Sequence, residues 1–143
     1  MQSSDDISVE VRRLTPAEWP KAFPVVAQLR ALDEAEFLRR ATRQSFSGYE
    51  LIGAFAGDEL VGVLGMRPVH TLARGAHLHI DDLVVAEQAR GGGIGNKLLA
   101  YAEADARTRE MNVVFLDARP QAVPFYERCD YELHGAPSMK KKL

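Results

Sequence analysis

Cysteine, tryptophan and long apolar stretches are scarce in this sequence of 143 residues. Cys129 is the only cysteine and Trp19 the only tryptophan. A single cysteine excludes an internal disulfide and a zinc site built from several cysteines, so we interpret Cys129 as a small, half-buried apolar residue. No apolar run reaches the length that spans a bilayer, which argues against a membrane partner.

An excess of either charge is also lacking. The net charge is −2, from 18 basic and 20 acidic residues, so no basic surplus indicates a nucleic acid partner. Residues 1–6 are polar, have none of the features of a signal peptide, and are expected to be disordered. We therefore expect a cytoplasmic protein in which residues 1–143 form one domain, with a homodimer left open.

The spacing of apolar residues predicts a mixed order of strands and helices. The predicted strands are 7–14, 49–55, 60–66, 76–85 and 113–116, with one or two more around 135–137 and Pro68 ending the third. The predicted helices are 24–32, 33–44, 94–109 and 124–129. This order is typical of an α/β (mixed α+β) sheet with helices against both faces.

The fourth predicted strand changes its alternation in the middle. Leu78 and Ile80 share one parity, whereas Leu83 and Val85 share the other, with two aspartates between them. A regular strand does not switch faces, so we predict a β-bulge at Asp81–Asp82. Bulges often re-aim groups beside active sites, although a packing adjustment without catalytic meaning is the alternative.

Four glycines in five positions follow this strand and precede the third predicted helix, in the run Arg90-Gly91-Gly92-Gly93-Ile94-Gly95-Asn96. The first turn of a helix has backbone N–H groups without partners and carries partial positive charge. Glycines let the oxygens of an anion approach those groups, and Arg90 adds a full charge. The run therefore predicts a phosphate site, with a purely structural turn as the alternative.

The spacing of the glycines separates three kinds of phosphate loop. A Walker loop needs serine or threonine after the lysine, but Lys97 is followed by Leu98. A dinucleotide fingerprint needs glycine or alanine where this chain has Asn96 or Leu98, depending on the starting glycine. The pattern Q/R-x-x-G-x-G/A fits residues 90–95.

Residues 82–99 resemble the cofactor motif of the GNAT superfamily of acetyl-coenzyme A-dependent N-acetyltransferases. Residues 122–131 resemble its second signature, an aromatic–tyrosine pair on a helix before a turn. The resemblance covers almost the whole chain. It implies a central mixed, mostly antiparallel sheet of six to seven strands with helices on both faces, acetyl-coenzyme A as co-substrate, and no metal.

The resemblance also implies which residues hold the coenzyme. Backbone amides would bind its pyrophosphate, and the backbone of a strand would pair with its pantetheine arm. The first group is Gly91, Gly92, Gly93, Ile94, Gly95 and Asn96, with Arg90 beside it, and the second is Leu83, Val84 and Val85. Two positions depart from the family pattern: Asp130 replaces a glycine, and Arg119 replaces an asparagine seven residues before the tyrosine.

Transfer of acetyl from a thioester to an amine needs a neutral amine, donors for an oxyanion, and a proton for the thiolate. The resemblance favours Tyr126 as the acid, and a backbone N–H of the strand ending at Val85 as the oxyanion donor. His79 and Asp81 are the candidates for the base, the ammonium site or a relay through water. The alternatives are a core role for Tyr126 and solvated or salt-bridged roles for the other two.

The sequence therefore predicts an enzyme that moves acetyl from acetyl-coenzyme A to a primary amine of a small molecule or peptide, by direct attack through a tetrahedral intermediate. The main alternative is a coenzyme A-binding sensor or interaction module of the same fold without efficient turnover. A second alternative is transfer of a longer acyl chain.

Overall fold

A computed structural model describes residues 8–143, in which five strands form one sheet in the order β1-β2-β3-β4-β5. The strands are β1 (Val9–Arg13), β2 (Glu50–Ala56), β3 (Glu59–Thr71), β4 (Gly75–Val85) and β5 (Val114–Leu116). The helices are α1 (Trp19–Val26), α2 (Glu34–Ser45), α3 (Ile94–Thr108) and α4 (Val123–Arg128). The first four strands are antiparallel neighbours, and β5 joins β4 in parallel after the α3 crossover. The mixed, mostly antiparallel sheet is confirmed.

Two apolar layers hold the helices to the sheet. On one face Val63 and Val84 pack with Ala22 of α1 and Phe37 of α2. On the other face the strands pack against α3, through side chains that include Leu64, Leu78, Ile80, Leu98 and Leu99. Helices on both faces are therefore confirmed. The apolar stripe of α3 packs this helix against β3 and β4.

The number of strands was predicted wrongly, since residues 8–143 form five rather than six to seven. The terminal strands expected around 135–137 are absent, and the side chains of Leu133 and Met139 are 77% and 91% exposed. Gly135 and Pro137 interrupt any ladder there, and the few apolar side chains near them reach no core. The disorder predicted for residues 1–6 lies outside the described part of the chain.

Proline caused two further errors in the predicted boundaries. β3 continues through Pro68, which was expected to end it. Pro68 lies opposite Leu78 of β4, and the N–H of Leu78 points away from β3 and bonds to Val113. In such an antiparallel pair the N–H of the opposite residue also points away from its partner, so at Pro68 the missing N–H would face the other edge of β3. The pairing of β2 with that edge has ended at Met66, so no ladder bond is lost. α1 spans Trp19–Val26 instead of 24–32. It begins earlier because Pro20 is tolerated in a first turn, where N–H groups have no helical partner, and residues 27–32 form turns and irregular structure instead of helix.

Candidate functional site

A β-bulge lies in β4, as the switch of parity predicted. Gly65 of β3 pairs with Asp82 and Met66 pairs with Ile80, which leaves Asp81 as the extra residue. The bulge brings the apolar side chains before and after it onto the same face: Leu78, Ile80, Leu83 and Val85 all contact the α3 layer. It also places both aspartates near one another on the opposite face.

β4 and β5 part at this bulge. Their parallel pairing covers only Leu78 to Ile80, whereas β4 stays paired with β3 as far as Val85. The N–H of Ala86 bonds to Val61 of β3, and the peptide groups of a strand alternate in direction. The N–H and C=O groups of Val84 therefore point toward β3, whereas those of Leu83 and Val85 point into the cleft between β4 and β5.

The glycine-rich loop joins the end of β4 to α3. Gly91 and Gly93 have left-handed φ values of +87° and +80°, and Gly93 is the N-cap of α3, with no side-chain cap. The first helical bond runs from Lys97 N–H to Gly93 O at 3.1 Å. The amides of the first turn thus have no partner within the helix, and a Cβ at Gly91 or Gly93 would meet no atom within 4 Å, so the turn has the room that an anion site needs.

Two members of the predicted loop have structural contacts as well. Arg90 turns back, and its Nε donates to Val85 O at 3.2 Å, at the rim where β4 ends. A Cβ on Gly95 would lie 3.0 Å from Cζ of Phe125. A side chain at position 95 would therefore press on the Phe125 ring, so Gly95 contributes to the packing of α4 on the first turn of α3, whatever it does for a ligand.

Tyr126 lies on α4, with its ring half-buried between Phe125 and Tyr131 at centroid distances of 5.1 and 5.9 Å. Its hydroxyl has no hydrogen-bond partner among residues 8–143. Burial raises the pKa of the Tyr126 phenol above its ordinary value, with a smaller contribution from Cys129. The phenol is thus a protonated donor at neutral pH and is free to bond to a ligand.

Asp82 is held from two sides on the face opposite α3. Nε of Arg30 donates to its Oδ1 at 3.0 Å, and the hydroxyl of Tyr49 donates to its Oδ2 at 2.6 Å. Arg30 also donates to the backbone oxygen of Asp81 at 2.9 Å. Burial, followed by the charge of Asp82, raises the pKa of Tyr49 well above its ordinary value. These contacts fix the bulge from the side of α1.

Asp81 and His79 come together beside this group. Nε of Arg67 donates to Oδ2 of Asp81 at 2.8 Å, and Nε2 of His79 lies 3.7 Å from Oδ1. Burial lowers the pKa of His79 below its ordinary value, an effect that the charge of Asp81 partly opposes. His79 is therefore neutral at neutral pH and able to accept a proton.

Arg30, Tyr49 and Arg67 were missed by the sequence analysis. Only the register of β3 against β4 places Arg67 opposite His79. No local pattern identifies Arg30 or Tyr49 as partners of Asp82, because they are 52 and 33 residues away in the chain. A general signal was present, since two adjacent aspartates in a half-buried strand need donors.

The two departures from the family pattern are both accommodated. Asp130 adopts a left-handed φ of +69° after α4, a conformation that aspartate tolerates better than most residues. Arg119, in the segment after β5, donates through Nη2 to the backbone oxygen of Leu29 at 2.8 Å.

A cavity of about 1060 Å³ lies beside the open edge of β5. It is bounded by the second half of α3, by α4 and by the C-terminal segment, and Tyr126 and Cys129 reach its wall. None of the loop residues 90–96 borders it. The cavity lies at the side of β5 that no further strand of residues 8–143 covers, and it does not include the glycine-rich loop.

Within residues 8–143, no three His, Cys, Asp or Glu side chains are grouped as metal ligands would be. Over the same range, every helix falls short of the length and apolar character needed to cross a bilayer.

The chain matches known proteins across most of its length. The family model described as an acetyltransferase (GNAT) domain matches residues 25–143. An uncharacterized N-acetyltransferase, YhdJ of Bacillus subtilis strain 168, is 32% identical over 125 residues, covering 82% of this chain and 87% of the relative. A glucosamine 6-phosphate N-acetyltransferase of Trypanosoma brucei brucei is 32% identical over 71 residues, covering 50% of this chain and 48% of its own.

Solved structures share the fold. A ribosomal-protein-alanine N-acetyltransferase of Brucella melitensis biovar Abortus 2308 has a TM-score of 0.83 at 17% identity, covering 94% of this chain and all of that one (100%). A Trypanosoma brucei acetyltransferase has a TM-score of 0.80 at 24% identity, covering 95% and 100%. With the family model matching from residue 25 to the end, the chain belongs to the GNAT superfamily and is an N-acetyltransferase enzyme.

Proposed function

We propose that this enzyme transfers acetyl from acetyl-coenzyme A to a primary amine by direct attack, with the cleft between β4 and β5 as the donor site. One observation carries the proposal: β4 parts from β5 after Ile80 and then leads, through the glycine-rich loop, to a helix N-terminus that has no side-chain cap. An open strand edge followed by an anion site suits a ligand with an amide-containing arm and a pyrophosphate. When bound, the coenzyme supplies the acetyl group as a thioester.

The donor site is built almost entirely from backbone. Amides of residues 91–96 would bind the pyrophosphate, with the Arg90 guanidinium at the rim. Leu83, and Val85 through its N–H, would pair with the pantetheine arm as a neighbouring strand does, since their peptide groups face the cleft. The carbonyl oxygen of Val85 already accepts from Nε of Arg90. Val84 would contribute by holding the strand to β3 rather than by its own peptide group.

Three groups would carry the chemistry. A cleft-facing N–H on β4, that of Leu83 or Val85, would donate to the developing oxyanion. Tyr126 would give its proton to the departing thiolate, a role supported by its hydroxyl, which has no hydrogen-bond partner among residues 8–143. His79 would take a proton from the amine, directly or through water, because burial keeps its imidazole neutral.

Asp81 would bind the amine in its ammonium form before that proton is lost. Arg67 donates to Oδ2 of Asp81, whereas Oδ1 faces His79 at 3.7 Å, too far for a hydrogen bond. Oδ1 can therefore accept from an ammonium group. This arrangement would place the amine within reach of both side chains.

We propose a small-molecule amine as the acceptor, with peptide amines as the second class to test. Two similar proteins bear the name glucosamine 6-phosphate N-acetyltransferase, so that compound belongs in a first panel of primary amines. The proposal keeps the cytoplasmic location expected from the sequence.

Calorimetry with coenzyme A tests the donor site. Gly92 is the best position for a blocking substitution, because its φ is not left-handed and the nearest atom to an added Cβ is 3.7 Å away. Gly92→Val should weaken binding by about tenfold or more, as expected when charge-assisted hydrogen bonds to the ligand are lost. Gly135→Val is the matched control, because Gly135 also has open space around it and lies far along the chain.

Two results would contradict the proposal at different levels. If Gly92→Val bound coenzyme A as well as the wild type, the glycine loop would not be the pyrophosphate site. If the wild type bound coenzyme A but released no thiol from acetyl-coenzyme A with any amine of the panel, transfer to an amine would fail and the alternative of a binding module would gain support.

A further inference from the structure

The segment between α1 and α2 contacts three separate parts of the site through three consecutive residues. The side-chain oxygen of Gln28 accepts from Glu87 N–H at 2.8 Å, at the start of the glycine-rich loop region. Leu29 O accepts from Arg119, and Arg30 bonds to both aspartates of the bulge. No other short segment among residues 8–143 joins all three parts.

These contacts take residues 28–30 across the mouth of the cleft. Asp81 and Asp82 lie on β4 immediately after its pairing with β5 ends, and Arg119 lies three residues after the end of β5. The segment is therefore attached to both sides of the point where the strands part. It lies on the face that carries His79 and Asp81, on which the amine would arrive.

The attachment is unequal on the two sides. Toward β4 it consists of an ion pair of Arg30 with Asp82, supported by the hydroxyl of Tyr49. Toward β5 it consists of one hydrogen bond from Arg119, an exposed residue without a carboxylate partner among residues 8–143. Because this single bond spans the cleft, removing it frees the segment on one side only.

We propose that residues 28–30 are a strap that closes the acceptor side of the cleft, and that Arg119 is the positioning residue that fastens it. The proposal rests on the proposed function, since it assigns the strap to the amine pocket of that site. An arginine has the reach and the planar donors to meet a backbone oxygen across the gap. Arg119 acts through the strap and touches neither the thioester nor the amine.

Hydrogen exchange and kinetics on the full chain test this role. Arg119→Ala should speed exchange of the amides of residues 28–32 and raise the KM of the best amine from the panel, each by about fivefold, the scale of one exposed, charge-assisted hydrogen bond. The KM for acetyl-coenzyme A and kcat should stay within about twofold, since the donor site is built elsewhere. Arg119→Lys should restore both values, because an ammonium group also donates to a carbonyl.

The control is Arg128→Ala, since Arg128 is equally exposed and bonds to no other described side chain or carbonyl outside its helix. Unchanged exchange in Arg119→Ala, or an unchanged amine KM, overturns the strap. A rise in the KM of acetyl-coenzyme A as large as that of the amine also overturns it. If the wild type turns over no amine, both the proposed function and the strap role are rejected. If the wild type turns over an amine and Arg119→Ala leaves the KM of that amine unchanged, only the strap role is rejected.

Discussion

The hydroxyl of Tyr49 donates a 2.6 Å hydrogen bond to Oδ2 of Asp82, passing over Gly65 of the strand between them. Gly65 pairs with Asp82 at the bulge, and a Cβ at Gly65 would lie 2.6 Å from Cζ of Tyr49. The tyrosine thus occupies the space that the missing side chain leaves. One buried ring fixes the bulge, and with it the point where β4 leaves β5.

Gly65→Ala should therefore destabilise the protein. The added methyl overlaps a ring that is buried and hydrogen-bonded, so the ring cannot swing aside without releasing Asp82. We expect the free energy of unfolding to fall by about 2 kcal/mol, the typical cost of overpacking a core. Urea denaturation measures the change, with Gly92→Ala as a control that should cost a few tenths of a kcal/mol. Equal stability of the two variants would show that Tyr49 repacks freely.

Tyr126→Phe should lower kcat by about 100-fold or more, the usual contribution of a positioned acid. The affinity for coenzyme A should change less than about twofold, since the phenol hydroxyl is assigned to the reacting sulfur and not to ground-state binding. Tyr131→Phe is the matched control, because that hydroxyl bonds to Glu103 at 2.9 Å instead. Thiol-release kinetics measure kcat, and calorimetry measures the affinity for coenzyme A. Equal kcat values for the two variants would exclude Tyr126 as the acid.

His79 should give kcat/KM an acid limb. A base works in its neutral form, and burial lowers the pKa of His79, so activity should stay full as the pH falls to neutrality and decline only below the ordinary range near 6.5. His79→Gln should lower the rate by about 100-fold and remove that limb. His70→Gln, at an exposed histidine of β3, is the matched control and should keep both the rate and the limb. A limb that persists in His79→Gln would point to another base.

Glu18 should contribute a pH-dependent part of the stability. Arg12 donates to both of its oxygens at 3.0 and 2.9 Å, and Thr15 N–H donates at 3.0 Å. The side-chain bond from Arg12 and the backbone bond from Thr15 lower the pKa of Glu18 from 4.5 to about 2. Because the folded pKa is depressed, this stability is complete above the unfolded value and is lost as the pH falls toward 2.

Denaturation of Glu18→Gln across pH tests that window. The difference in unfolding free energy from the wild type should be constant above about pH 5.5 and shrink between 4.5 and about 2. Glu59→Gln, at an exposed acid that makes no ion pair with any described residue, should show no such trend. A difference that stays constant down to pH 2 would exclude the linkage.

Local patterns predicted much of the backbone of the site. The parity switch located the bulge at Asp81, and the glycine run located the uncapped start of α3, because each depends on residues adjacent in the chain. The same reasoning failed beyond Tyr131. Alternation alone predicted terminal strands there, but a strand also needs a partner and a core to cover, and neither is a local property.

The sequence by itself determined the loop and strand edge of the proposed donor side, since backbone groups at a helix N-terminus and a strand edge take positions that follow from short-range spacing. Only the tertiary structure decided which side chains meet at the proposed acceptor side. Arg30, Arg67 and Tyr49 reach the bulge from distant elements, and Arg119 meets Leu29 across 90 positions of chain. Such pairings depend on how the elements pack in three dimensions, and the long side chains that form them leave no periodic signal in the sequence.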